Sequence, residues 1–169
     1  MMARVGIALG SNLGDRHAHL RAAIAGLRQI AAPGESVLTA AIYQTSPRDC
    51  PPGSPDFLNT AIEIAFHGSP HELLEKTRAL EDQLGRIRNA GLNAPRIIDI
   101  DLLYHGDALC HAPTLVLPHP RLHHRRFVLQ PLAEIRPDLV LPGHDLTITE
   151  LLARLPADEP PLVPVADDF

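Results

Sequence analysis

Residues 93–106 read "NAPRIIDIDLLYHG", and the fold turns on whether "IIDIDLL" (97–103) within them is a strand. β-Branched and apolar residues fill it, and Pro95 keeps a helix from running into it. Yet two aspartates stand in its middle. Side chains alternate across a strand, so Asp99 and Asp101 share a face, roughly 7 Å apart along the chain. Two carboxylates so placed repel each other and desolvate badly. A strand that accepts them needs a compensating charge.

With 97–103 taken as the last strand of a sheet, the residues before it fall into order. "RVGIALG" (4–10) is nearly apolar and reads as a central first strand. "SNLGDR" then turns, and Gly14 and Asp15 open a helix carrying Leu20, Ile24, Leu27 and Ala31 at helical spacing, ended by Pro33 and Gly34. "SVLTAAIYQT" (36–45) reads as a second strand, and "SPRDCPPGSPD" (46–56) as a loop long enough to be functional. "FLNTAIEIAF" (57–66) is a third strand. Ser69, Pro70, His71 and Glu72 have the form of a capping box with proline at the first helical position. The helix they open buries Leu73, Thr77, Leu80 and Leu84, and Gly85 is placed to end it.

Strand–helix–strand–strand–helix–strand predicts a ferredoxin-like α+β sandwich, with helices packed on one face of an antiparallel sheet and the site on the other, under two loops. Downstream, "LVLPHPRLHHRRFVLQPLAEIRP" (115–137) predicts a short strand, a basic turn and a short helix from about Phe127. "DLTITELLARL" (145–155) reads as a last helix. Residues 1–155 then form one domain, and "PADEPPLVPVADDF" (156–169) a proline-rich, acidic tail, extended or loosely held.

The chain's 169 residues suit a single core. A net charge of −5 argues against a general nucleic-acid-binding surface and leaves room for a local basic patch. Lys76 is the only lysine, and the arginines that supply the other basic charges have a planar fork suited to phosphate. Cys50 and Cys110 are isolated, with no spacing for zinc or a disulfide framework. No apolar run reaches membrane-spanning length and "MMARVGIALGSN" lacks the shape of a signal peptide, so a cytoplasmic protein with no membrane partner is expected.

A bare pair of aspartates equally fits a solvent-facing strand edge, and any one arginine fits a solvated surface. Here Arg86, Arg88 and Arg96 precede the pair, while His119, Arg121, Arg125 and Arg126 follow it. Magnesium typically takes one or two carboxylates plus phosphate oxygens and water. Two carboxylates on one face can hold two such ions beside a polyphosphate, with arginines neutralising the remainder. That would supply the missing compensation. No Gly-x-x-x-x-Gly-Lys-Ser/Thr loop is present, and "GSNLG" (10–14) reads as a plain strand-to-helix turn. The histidines match no zinc spacing. His119, between Pro118 and Pro120, is the one best placed to donate to phosphate. Phe57 and Phe127 each begin an element beside a candidate loop. Core rings would read the same, but such a pair could also sandwich a flat heterocycle whose edge the Asn59 amide reads.

"ALGSNLGDR", "PDFLNTAI", "LEDQLGRIR", "APRIIDIDLL" and "LPHPRLHHRRFVLQPLAEIRPDL" occur in the order seen in the 6-hydroxymethyl-7,8-dihydropterin pyrophosphokinase family of folate biosynthesis, which this chain resembles over roughly residues 4–142. The resemblance implies transfer of the β,γ-diphosphate of ATP to the pterin hydroxymethyl group, with release of AMP. It implies that Asp99 and Asp101 hold two magnesium ions and that Arg86 and Arg96 are mobile-loop arginines engaging the triphosphate. Arg78, Glu81, Arg88, Thr114, His119, Arg121 and Arg125 fall at nucleotide positions, as do the backbones near Leu102 and Val116. Phe57 and Phe127 match rings that sandwich the pterin, Asn59 its edge reader, and Thr45, Ser46 and Arg48 neighbouring contacts. Some members carry a tryptophan in the mobile loop where this chain has Asn93 and Ala94, and this chain has no tryptophan. A monomer with no nucleic-acid partner is expected. Two readings from other classes remain beside this one. A two-metal nucleotidyltransferase or nuclease would incorporate nucleotides or cut strands, and a ferredoxin-like RNA-binding module would stack bases on Phe57 and Phe127.

Overall fold

The computed structural model describes residues 2–46, 50–87 and 94–165. Its sheet is built on β1 (Met2–Ser11), whose Val5, Ile7 and Leu9 are buried on one face. β4 (Phe57–His67) pairs antiparallel on one side of β1 and β5 (Asp99–His105) on the other. β2 (Leu38–Thr39) and β3 (Tyr43–Thr45) both pair along the outer side of β4. The single strand expected over 36–45 is therefore broken. At the break Ala40 N still donates to Ala61 O (3.0 Å), while Thr60 Oγ1 donates to the carbonyls of Ala40 (3.1 Å) and Ala41 (2.9 Å) and Glu134 accepts from Ala41 N (2.7 Å), so side chains supplement the ladder there.

The main sheet runs β2-β4-β1-β5. α1 (Arg16–Ile30) joins β1 to β2 and α2 (Pro70–Gln83) joins β4 to β5, each crossing one intervening antiparallel strand. Asp15 caps α1 by accepting from Ala18 N (3.1 Å), and Ser69 caps α2 by accepting from Glu72 N (3.1 Å). Leu20, Ile24 and Leu27 of α1 and Leu73 and Leu80 of α2 pack with Val5, Ile7 and Leu9 in one core. The chain is thus an α+β domain on an antiparallel sheet.

The expected one-sided packing is not what forms. α3 (Arg126–Ile135) and α4 (Ile148–Ala153) cover part of the opposite face, where Val128, Leu129 and Leu132 cluster with Ile148 and with Leu103 and Tyr104 of β5. The reason lies in what β1 and β4 offer there. Gly6, Ala8, Ala61 and Ala65 alternate with the large apolar residues, and their small side chains let a second layer approach. A Cβ on Gly6 would come 2.2 Å from the Tyr104 ring, so glycine is what allows that ring to lie across β1. Helices therefore lie on both faces, and the site occupies the end of the second face that α3 leaves bare.

At the other end of that face, buried Glu63 gathers Arg4 Nε (2.8 Å), Arg136 Nη1 (2.5 Å) and the Tyr104 hydroxyl. Burial, then Glu63, hold the Tyr104 phenol well above its usual range, so it remains a donor. Tyr104→Phe deletes that donor and leaves a buried carboxylate short of one partner. A loss of about 2 kcal/mol is expected, the ordinary worth of a hydrogen bond to a charged group, read from urea unfolding at neutral pH. A midpoint equal to wild type would mean that the two arginines satisfy Glu63 alone.

β6 (Cys110–Ala112) and β7 (Leu115–Leu117) form a small hairpin beside β5, and His119 N after it donates to Leu103 O (2.8 Å). Past α4 the proline-rich stretch runs back to the far edge of the sheet. There Gln130 bonds the backbone of Leu162 in both directions, Nε2 to O at 2.9 Å and N to Oε1 at 2.8 Å. Pro164 bridges Tyr43 antiparallel, and Val165 N donates to Ile42 O (2.8 Å). Among the described residues no helix is long and apolar enough to cross a membrane.

Candidate active site

Strand register places the candidate residues in rows. Gly10 of β1 lies opposite Asn59 of β4 on one side and Asp99 of β5 on the other, and Ala8 lies between Ala61 and Asp101. Asn59, Asp99 and Asp101 consequently share the second face. A Cβ at Gly10 would sit 2.8 Å from Asn59 Oδ1 and 3.4 Å from the Phe57 ring, so the missing side chain keeps the middle of the row open. α3 starts at Arg126, which brings Phe127 to this end of the face, with the Arg125 guanidinium 5.4 Å from its ring centroid.

Two cavities meet at the carboxylates. One, of about 130 Å³, is lined by Thr45, Ser46, Phe57, Asn59, Phe127, Arg96 and Arg125. The other, of about 360 Å³, is lined by Arg78, Glu81, Arg86, Leu102, Thr114, Val116 and His119. Asp99 and Asp101 line both. Arg121 lines neither cavity, and its backbone N instead donates to His119 Nδ1 (3.1 Å). Arg48 and Arg88 lie outside the described residues.

The two aspartates differ in their surroundings. Arg86 Nη1 donates to Asp99 (2.8 Å) and to Glu81 (2.5 Å), and Arg96 Nη1 donates to Asp99 (3.1 Å). Burial works against the Arg86 charge, but Asp99 and Glu81 outweigh it and hold the guanidinium above its ordinary range. Among the described residues no arginine bonds Asp101. Burial, then repulsion from Asp99, push its carboxyl up to about 7, with Arg125 only partly offsetting them. Asp101 is thus the less compensated carboxyl of the pair.

Glu81 is a buried anchor, taking Ile100 N (2.9 Å) as well as Arg86 and so fastening the arginine to β5. His119 is held down to about 4 by burial, then by Arg125 and Arg121, and is neutral near pH 7. Its Nδ1 accepts from Arg121, which places the proton on Nε2 and leaves His119 a neutral donor. Asn59 Nδ2 donates to Thr45 Oγ1 (2.6 Å), so one side of its amide is already oriented.

Asn12, in the stretch read as a plain turn, does more than turn the chain. Fully buried, it accepts from Arg96 N through Oδ1 (2.8 Å), donates its own N to Arg96 O (3.1 Å), and donates Nδ2 to Pro55 O (3.3 Å). One side chain ties the segments before β4 and before β5 to the end of β1. A polar residue directly after a buried strand was the available signal. Cys50 also lines the smaller cavity and was not singled out.

Among the described residues no three His, Cys, Asp or Glu side chains come together to hold a metal. A hard divalent ion beside phosphate typically takes one or two carboxylates with phosphate oxygens and water, and the pair Asp99 and Asp101 fits that donor set.

A family model described as 7,8-dihydro-6-hydroxymethylpterin-pyrophosphokinase (HPPK) matches residues 6–137. A relative from Methylorubrum extorquens, named 2-amino-4-hydroxy-6-hydroxymethyldihydropteridine pyrophosphokinase, is 44% identical over 158 residues, covering 91% of this chain and 94% of its own. A Bacillus subtilis protein of the same name is 44% identical over 129 residues, 76% of this chain and 75% of its own. Among solved structures, Plasmodium falciparum HPPK-DHPS with SDX-DHP superposes with a TM-score of 0.68 at 13% identity, over 91% of this chain and 44% of that one, a likeness of fold. Family model and relatives agree: this chain belongs to the 7,8-dihydro-6-hydroxymethylpterin pyrophosphokinase family.

Proposed function

We propose that this protein moves the β,γ-diphosphate of ATP onto the hydroxymethyl oxygen of 6-hydroxymethyl-7,8-dihydropterin, releasing AMP, in folate biosynthesis. The observation that carries this reading is the meeting of two unlike cavities at one pair of carboxylates. The smaller has two rings and an amide, which suit a flat heterocycle. The larger has arginines and a neutral imidazole donor, which suit a nucleotide. The strand order, with two helices each crossing one strand, supports a ferredoxin-like sandwich for residues 1–155, followed by the tail at 156–169.

In this reading Phe57 and Phe127 stack the pterin and Asn59 reads its edge, with Thr45, Ser46 and Arg48 beside it. Arg78, Glu81, Arg88, Thr114, His119, Arg121, Arg125 and the backbones at Leu102 and Val116 receive the nucleotide. Asp99 and Asp101 would hold two magnesium ions, which supply charge stabilisation for the phosphates when bound. Arg86 and Arg96, now on Asp99, exchange onto the triphosphate when it arrives. The pterin oxygen attacks the β-phosphorus in line, the bond from that phosphorus to the AMP oxygen breaks, and the hydroxyl proton passes to solvent. Arginines beside the transferring group offset the charge it carries. The enzyme is read as a cytoplasmic monomer.

AMP formation that requires both magnesium and the pterin is the expected result, followed by chromatography of the nucleotides. AMP formed without pterin, or nucleotide incorporated into a nucleic acid, would overturn it. Phe127→Ala is expected to weaken pterin binding by about 1–3 kcal/mol, the usual worth of an aromatic stacking platform, and to change ATP-analogue binding much less. Equal losses in calorimetry for both ligands would make Phe127 a core residue instead.

A further inference from the structure

The proline-rich tail carries an arrangement that the transfer reaction does not use. Pro164 and Tyr43 form an antiparallel bridge, and Val165 N donates to Ile42 O (2.8 Å). Continuing that register towards the active site sets Val163 beside Gln44 and Leu162 beside Thr45. Leu162 is the residue whose backbone Gln130 bonds in both directions. A groove between the two segments is lined by Gln44, Thr45 and Ser46 on one side and by residues 160–165 on the other. Thr45 in turn takes the Asn59 amide at 2.6 Å.

β3 needs such a support. It is three residues long and pairs only with β4 within the sheet, so one of its edges would otherwise face water. Glu134 of α3 holds its first residue through the Tyr43 hydroxyl (2.6 Å). The tail runs beside the rest, across the groove, and Gln130, one helical turn before Glu134, pins the tail. Helix α3 thus grips β3 directly, through Glu134 and Gln130 at the Tyr43 hydroxyl, and again through the strap.

We infer that residues 160–165 are a positioning strap for the heterocycle pocket, with Gln130 as its clasp, acting through Thr45 on the orientation of the Asn59 amide. The inference rests on the reading that the pterin occupies the smaller cavity. The strap touches neither the carboxylates nor the larger cavity, so its effect falls on one substrate.

Three full-length variants and one truncation test it: Gln130→Met, which keeps length and removes both bonds to Leu162 together with the side-chain contact to the Tyr43 hydroxyl, Gln130→Glu, which keeps the acceptor, Asn59→Ala, and a chain stopped after Glu159, which removes the strap and leaves Gln130 on Tyr43. Calorimetry with 6-hydroxymethyl-7,8-dihydropterin in the presence of an ATP analogue and magnesium, and with the analogue alone, gives both affinities. Steady-state kinetics gives kcat and KM. Gln130→Met and the truncation are expected to raise the pterin Kd and KM about fivefold or more, with kcat and analogue affinity within about twofold. Gln130→Glu should fall between them and wild type. Wild-type pterin affinity in a folded Gln130→Met protein or in the folded truncation overturns the strap, as does an equal loss of both ligands. Asn59→Ala separates the two failures. If it binds pterin normally, the reading of the cavity fails and the strap with it. If it loses pterin while Gln130→Met does not, the strap alone fails.

Discussion

Asp101→Asn is expected to abolish diphosphoryl transfer while making the unliganded protein more resistant to heat. The carboxyl of Asp101 is pushed up to about 7 by burial and by Asp99. A carboxylate whose pKa is raised on folding costs the native state nothing when both folded and unfolded chains are protonated, below about pH 4. The cost grows between there and pH 7 and is constant above. The amide, which cannot ionise, should therefore melt ~2 °C or more above wild type at pH 8, with the difference vanishing towards pH 4. Loss of a metal-binding carboxylate removes several kcal/mol of charge stabilisation in the reaction, about 10³-fold or more in rate. Melting curves from pH 4 to 8 beside an AMP assay read both effects. Turnover near wild type in magnesium would sink the metal assignment. Melting below wild type at pH 8 would show that Asp101 is compensated in the free protein.

Arg96→Ala is expected to lower kcat by more than about tenfold at saturating ATP and pterin, and to change ATP affinity less. Arginines that stabilise a transferring phosphoryl group can be worth factors of about 10³. Arg96 is well supported for that work. Asn12 takes its backbone N and O at 2.8 and 3.1 Å, and the guanidinium rests on Asp99 at 3.1 Å. An interaction made only in the transition state lowers kcat, whereas one made equally with bound substrate raises KM. Steady-state kinetics with both substrates varied separates these. A normal kcat with a raised KM for ATP would leave Arg96 a binding residue and pass the catalytic role to Arg86.

How far the residues declare themselves depends on whether local pattern or distant packing decides. Asp99 and Asp101 could be placed on one face because alternation in a strand is local, and Ser69 at a helix start because capping is local. Phe57 and Phe127 line one cavity although 70 positions separate them. Their proximity comes from the meeting of β4 with the start of α3; their places beside candidate loops suggested a pair, and the family resemblance strengthened it. The second helical layer was harder to see. Its signal is the absence of bulk at Gly6, Ala8, Ala61 and Ala65, which periodicity of large residues overlooks. Asn12 was missed for another reason. The groups it bonds, Arg96 and Pro55, belong to segments far away in the chain, and no spacing rule links them.

The row Asn59–Gly10–Asp99 makes the sheet a ruler. Neighbouring strands stand about 4.8 Å apart, so the backbones that present the amide and the carboxylate are separated by two such steps, about 10 Å. That stride is counted in strands and held by ladder hydrogen bonds. If the ring sits between the two phenylalanines as proposed, an acceptor alcohol on a longer arm would overshoot the phosphorus. On that reading, selection for alcohol length is set by the pitch of a β-sheet, the dimension of this protein least open to gradual change.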